Sequence, residues 1–162
     1  MTNTIIKTAS IPIMLDPSVK KGKSGSIDSM LLLLKTYGIA FATFLAIDMV
    51  WLNFAAKDLY KRSIGQFLAD SPNLGAALVF YLAFVAALVY FVIAPAQKDN
   101  NMPLALMRAA IFGGICYATY DLTNLAVMKD WPLGITIIDI IWGAVLAMAV
   151  TAITLILLQR LA

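Results

Sequence analysis

Three aspartates sit inside apolar segments of this chain: Asp48, Asp121 and Asp139. Two of them are followed three residues later by a tryptophan, in Asp48-Met-Val-Trp51 and Asp139-Ile-Ile-Trp142. The third lies in the run Tyr117-Ala-Thr-Tyr120-Asp121-Leu-Thr-Asn124. Carboxylates, phenols and an amide within segments of this kind are costly, and they ordinarily belong to proton or ion pathways, to ligand sites, or to contacts that fix one helix against another. The chemistry open to this set is to hold a proton, a cation or a small polar ligand.

Four apolar segments have to position these residues. The chain has 162 residues, 62% of them apolar, with a mean hydropathy of +0.87, where soluble domains are about 45–50% apolar. The excess falls in runs of about residues 31–53, 74–94, 104–128 and 133–158, each long enough to cross a bilayer. Their connections are short, which forces neighbouring helices to be antiparallel. The expected fold is therefore all-α and integral to the membrane: an up-down bundle of four transmembrane helices over residues 30–162. Residues 1–29, with the basic run Lys20-Lys21-Gly22-Lys23-Ser24-Gly25, read as a flexible tail.

Local signals refine this layout. Between the first two spans, Tyr60, Ile64, Phe67 and Leu68 share one helical face, while Lys57, Lys61 and Arg62 lie elsewhere on the wheel. That pattern predicts one interfacial amphipathic helix lying at the membrane surface, either separate from the first span or continuous with it. Ser71-Pro72-Asn73 and Asn101-Met102-Pro103 predict N-caps for the second and third spans. Pro95 predicts the end of the second.

Span ends and helix direction together give depth. Asp48 lies near the end of the first span, Asp121 near the end of the third and Asp139 near the start of the fourth, each roughly 8–11 Å from the same membrane face at the helical rise. Tyr81 reaches that level from the second helix. Spacing adds a shared inward face: Gly113, Tyr117, Tyr120, Asp121 and Asn124 form one stripe of the third span, and Asp139, Gly143, Ala147, Val150 and Thr154 one of the fourth. Small residues on such stripes let helices approach closely. The candidate ligand- or ion-binding residues are thus Asp48, Tyr81, Tyr117, Tyr120, Asp121, Asn124, Asp139 and Trp142. No lysine or arginine shares their level. Three carboxylates in one such layer cannot all be charged without compensation, so the layer is expected to hold a proton, a bound cation or a lysine reaching down from the surface.

A plainer reading stands beside this one. The aspartates could serve only to fix the bundle, bonded to Tyr81, Tyr117, Tyr120, Thr123 and Asn124. Trp51 and Trp142 could be membrane-belt residues, as Trp131 is expected to be.

Composition excludes several function classes. There is no histidine, and all nine acidic residues are aspartate. Imidazole-based acid–base chemistry, haem ligation by imidazole and most transition-metal sites are thereby removed. The single Cys116 leaves no internal disulfide or Cys-x-x-Cys centre. Neither a cofactor fingerprint nor a catalytic residue set is present, no metal is expected, and nothing points to nucleic acid. Lysine and arginine divide eight (Lys7, Lys20, Lys21, Lys23, Lys35, Lys98, Arg108, Arg160) against four (Lys57, Lys61, Arg62, Lys129). The excess puts both termini in the cytoplasm.

Asp48-x-x-Trp51-Leu52, Phe80-Tyr81, the run Tyr117 to Ala126, Trp131-Pro132 and Asp139-x-x-Trp142-Gly143 together resemble a bacterial family of small four-span membrane proteins, the domain of unknown function numbered 2177. The resemblance covers about residues 30–158 and implies a bacterial inner membrane. It brings no activity with it. Three functions are compatible with all of these observations. The first is a transporter or channel-like protein whose aspartate layer handles a proton, cation or small polar ligand, with a homodimer expected because four helices are few for a transport path. The second is a structural or assembly subunit of a larger membrane complex. The third, a lipid-modifying enzyme, is the one the composition favours least.

Overall fold

The computed structural model describes residues 17–161, with side chains from residue 26 onward. Four helical stretches are long and apolar enough to cross a membrane: Ser26–Phe67, Leu74–Asp99, Met102–Val127 and Leu133–Arg160. They form an all-α bundle, with no sheet among the described residues. Residues 33–162 make up one unit, and the residues before them a second. The flexible tail expected over residues 1–29 lies partly outside the described residues. From Pro17 onward it is helical, as the beginning of α1 (Pro17–Trp51). Two interior glycines cost a helix about 1 kcal/mol each, too little to stop one that runs on into a long apolar segment.

Past Trp51 the helix does not end. A π-helical turn, Leu52–Ala56, leads into α2 (Lys57–Ile64) and a short 3-10 turn, Gly65–Phe67. α2 folds back over the end of the bundle. Trp51 stacks on Trp142, with ring centroids 4.3 Å apart, and Tyr60 bonds to Asp139. Tyr60 lies about 14 Å of helical rise beyond Trp51, whereas Asp139 lies only about 4.5 Å from Trp142, so a straight helix could not make both contacts. The extra residue of a π turn is a common place for such a change of direction. Ile64 then packs with Trp131 and Ile135 in a small core of its own, and Phe67 lies against the Trp131 ring. Lys57, Lys61 and Arg62 are exposed.

The second span is α3 (Leu74–Leu88), a π turn (Val89–Ile93) and α4 (Ala94–Asp99). The sequence places its end at Pro95, but the helix runs on to Asp99. Proline lacks the N–H for the i−4 carbonyl and its ring crowds that carbonyl. The π turn immediately before Pro95 shifts the bonding pattern at the place where this conflict would arise. Asn73 caps α3 by accepting from Ala76 N at 3.1 Å, and Asn101 caps α5 (Met102–Val127) by accepting from Leu104 N at 3.0 Å. The turn before α6 (Leu133–Arg160) places Asp130 at φ 58°.

α5 and α6 are in close contact. A methyl group added at Gly113 would collide with the Gly143 carbonyl and the Ala147 methyl, and one added at Gly143 would collide with the Tyr117 ring. Only glycine at both positions lets the two backbones approach this far. The main core fills the half of the bundle away from α2, around Phe44, Val85, Leu88, Ile93, Leu146 and Val150, all fully buried.

Candidate functional site

The other half of the bundle is not filled. A cavity of about 480 Å³ lies there, lined by α1, α2, α3, α5 and α6. All three span aspartates line it and all are buried: Asp48 is 4% exposed, Asp121 0% and Asp139 7%. No lysine or arginine takes part in the lining. Seven of the eight residues singled out from the sequence, Asp48, Tyr81, Tyr117, Tyr120, Asp121, Asp139 and Trp142, contribute to its wall. Asn124 does not. It shares the stripe of Asp121 but lies about 4.5 Å further along the helix.

The wall also includes residues that the sequence reading did not assign to a site: Trp51, Tyr60, Ile64, Leu68, Phe80 and Cys116 among them. Tyr60 is the most consequential. Its hydroxyl donates to Asp139 Oδ1 at 2.6 Å, short enough for a strong bond. The signal was present in the sequence, because Tyr60, Ile64 and Leu68 share a face. That face is turned onto the bundle, and all three residues line the cavity.

The three carboxylates differ in their surroundings. Asp139 accepts from Tyr60. Asp48 is approached by Tyr81 and by the Trp142 indole, whose N–H stops short of hydrogen-bond geometry. The Trp51 N–H likewise faces the Tyr60 oxygen without completing a bond. Asp121 has no donor on either oxygen. The neighbouring hydroxyls do not serve it: Thr119 donates to Ile115 O at 2.8 Å, and Thr123 to Thr119 O at 2.6 Å and Tyr120 O at 2.9 Å. Threonines within a helix commonly return their hydroxyls to its own carbonyls in this way.

Aromatic rings make up much of the remaining wall. Trp51 and Trp142 lie nearly parallel, 12° apart. Tyr117 is wedged against Gly143 and meets Phe84 edge-on. Phe80 leans on Tyr81. Tyr120, 58% exposed, meets Trp131 edge-on at the outer margin. Because Leu68, Phe80 and Tyr120 are all exposed as well as lining, the cavity opens to the outside of the bundle beside α3 and α5.

Residues 33–156 match the family described as predicted membrane protein DUF2177. The chain belongs to the DUF2177 family. Its matched region contains every residue that lines the cavity, the three aspartates included. No curated protein and no solved structure matches the chain.

Proposed function

We propose that this DUF2177 protein is a small transport-type membrane protein whose aspartate-lined cavity takes up a cation, a proton or a positively charged ligand, from one side of the bundle. The observation that supports this most directly is Asp121: a fully buried carboxylate on a cavity without a basic lining residue, with no donor to either oxygen. Buried carboxylates that serve only the fold are expected to be saturated with hydrogen bonds. Asp139 approaches that condition and Asp121 does not.

The filled half of the bundle bears on mechanism. Phe44, Leu88, Ile93 and Leu146 pack it and are all fully buried, so passage beyond the cavity requires helices to move or a second copy to complete the path. A homodimer within membrane lipid is the expected working form. The lysine and arginine distribution favours cytoplasmic termini, which puts the cavity on the non-cytoplasmic side, in a bacterial inner membrane. In that setting α2 lies at the membrane surface, with its charged face outward and Tyr60 and Ile64 directed at the cavity.

Thermal unfolding with added cations tests the proposal. A cation that binds only the folded state raises its melting temperature. A scan of alkali and alkaline-earth ions and small ammonium ions is expected to find at least one that stabilises the wild type, and Asp121→Asn is expected to lose that gain. Melting that no cation moves, and that is unchanged between about pH 5 and 8 in both proteins, overturns the proposal.

A further inference from the structure

The cavity has more room than a proton or a bare ion needs. Its volume of about 480 Å³ falls in the ordinary range for organic ligands, about 300–1,000 Å³. Among the described residues no three acidic or cysteine side chains lie close enough together to share one metal ion. The carboxylates share the wall with aromatic residues contributed by all five lining helices.

We propose that the ligand is a protonated organic amine with an apolar body, its ammonium held at Asp121 and its body against the aromatic wall of the cavity. This deepens the reading above and rests on it. Of the three carboxylates, Asp139 is engaged by Tyr60 and Asp48 is faced by Tyr81 and Trp142, which leaves Asp121 without a donor; its oxygens are enclosed, so the side chain turns into the cavity to accept from the ligand's N–H groups. An ammonium ion supplies three such donors and the compensating charge. Aromatic faces attract the same cation through their negative quadrupoles, and the attraction is greatest where water is excluded. Trp142 and Tyr117 contribute rings to the same wall as the carboxylates. The opening lies on the flank of the bundle, where an amphipathic amine dissolved in the bilayer would meet it.

The test uses full-length protein in lipid nanodiscs, with 2-phenylethylammonium as probe and 2-phenylethanol as its neutral counterpart. The ammonium is expected to quench tryptophan fluorescence saturably and to raise the melting temperature. The alcohol is expected to bind at least tenfold more weakly, and Asp121→Asn to weaken the ammonium at least tenfold while leaving the alcohol unchanged. Should that variant fail to fold, the comparison of the two probes on wild-type protein still decides. Equal binding of ammonium and alcohol overturns the inference. If inorganic cations stabilise the protein in an Asp121-dependent manner and the ammonium does not bind, the inference falls and the broader cation reading stands. If neither binds and melting is also unchanged between about pH 5 and 8, both fall.

Discussion

The Tyr60 hydroxyl donates to Oδ1 of Asp139 at 2.6 Å, joining α2 to α6 across 79 positions of sequence. It is a polar tie between α2 and the carboxylate layer, and Ile64, packed with Trp131 and Ile135, adds an apolar one. Removing one partner of a buried bond leaves the other unsatisfied at a cost of about 1–3 kcal/mol. Tyr60→Phe is therefore expected to destabilise by about that amount. It should also raise amide exchange selectively in residues 57–64. Unchanged exchange there would mean that the apolar contacts alone hold α2 in place.

The Gly113–Gly143 approach gives a second prediction. Gly143→Ala puts a methyl group into the Tyr117 ring, and Gly113→Ala puts one into the Gly143 carbonyl. Backbone cannot yield as a flexible side chain can, and overpacking of this kind costs about 1–3 kcal/mol or more. Gly114→Ala is the control, because its added methyl would meet Ala144 Cβ at 3.8 Å, an ordinary contact. Both tight-site variants are expected to lower the melting temperature by several degrees, while the control holds or gains through helix propensity. Equal behaviour of all three would contradict the described contact between α5 and α6.

The four long helices are legible in the sequence because their apolar runs are continuous and their caps conventional. Asn73 and Asn101 both cap as their positions suggest. The level shared by Asp48, Asp121 and Asp139 follows from span ends and alternating direction alone. What the sequence conceals is how the ends fold back. The face of Tyr60, Ile64 and Leu68 has the pattern of a helix laid on lipid, and nothing local distinguishes lipid from the protein's own bundle as the apolar partner. Pro95 is misleading for a related reason. Its clash is local, but the π turn that relieves it depends on how Val89, Val92 and Ile93 pack in the core. Nor can spacing show that Thr119 and Thr123 return their hydroxyls to their own helix and leave Asp121 unserved.

Asp121 also yields a prediction of unusual sign. A buried carboxylate without hydrogen-bond partners lowers stability, because desolvation is not offset. Asparagine has nearly the same shape and carries no charge. Asp121→Asn is expected to raise stability by about 1 kcal/mol while abolishing cation-dependent stabilisation, the combination expected where a site is kept for function at the expense of the fold. Asp139→Leu should do the opposite and cost about 1–3 kcal/mol, since it strands the Tyr60 hydroxyl. Chemical denaturation of the two variants in the same detergent measures both. A loss of stability in Asp121→Asn comparable to that in Asp139→Leu would place Asp121 among the structural residues.

Cys116 offers a native reporter of the field inside the cavity. It is the chain's single cysteine and lines the aspartate cavity on one side. On the other it borders a surface groove that contains Arg108. The cavity approach carries the carboxylates, whereas Arg108 on the groove side is paired with Asp99 at 3.1 Å, so a preference for a cationic reagent identifies the cavity route. A site lined by one sign of charge raises the local concentration of the opposite ion by about tenfold or more. Aminoethyl methanethiosulfonate, a cation, is therefore expected to modify Cys116 at least about tenfold faster than its anionic sulfonatoethyl analogue, after each rate is normalised to that reagent's reaction with a free thiol. The ratio should fall in the Asp121→Asn, Asp139→Asn double variant. It should also fall in wild-type protein when 2-phenylethylammonium is present, because an amine held at Asp121 both occupies the cavity and cancels its charge. A ratio near one, or one that favours the anion, would mean that reagents reach Cys116 from the Arg108 side and that the aspartates do not set the potential there.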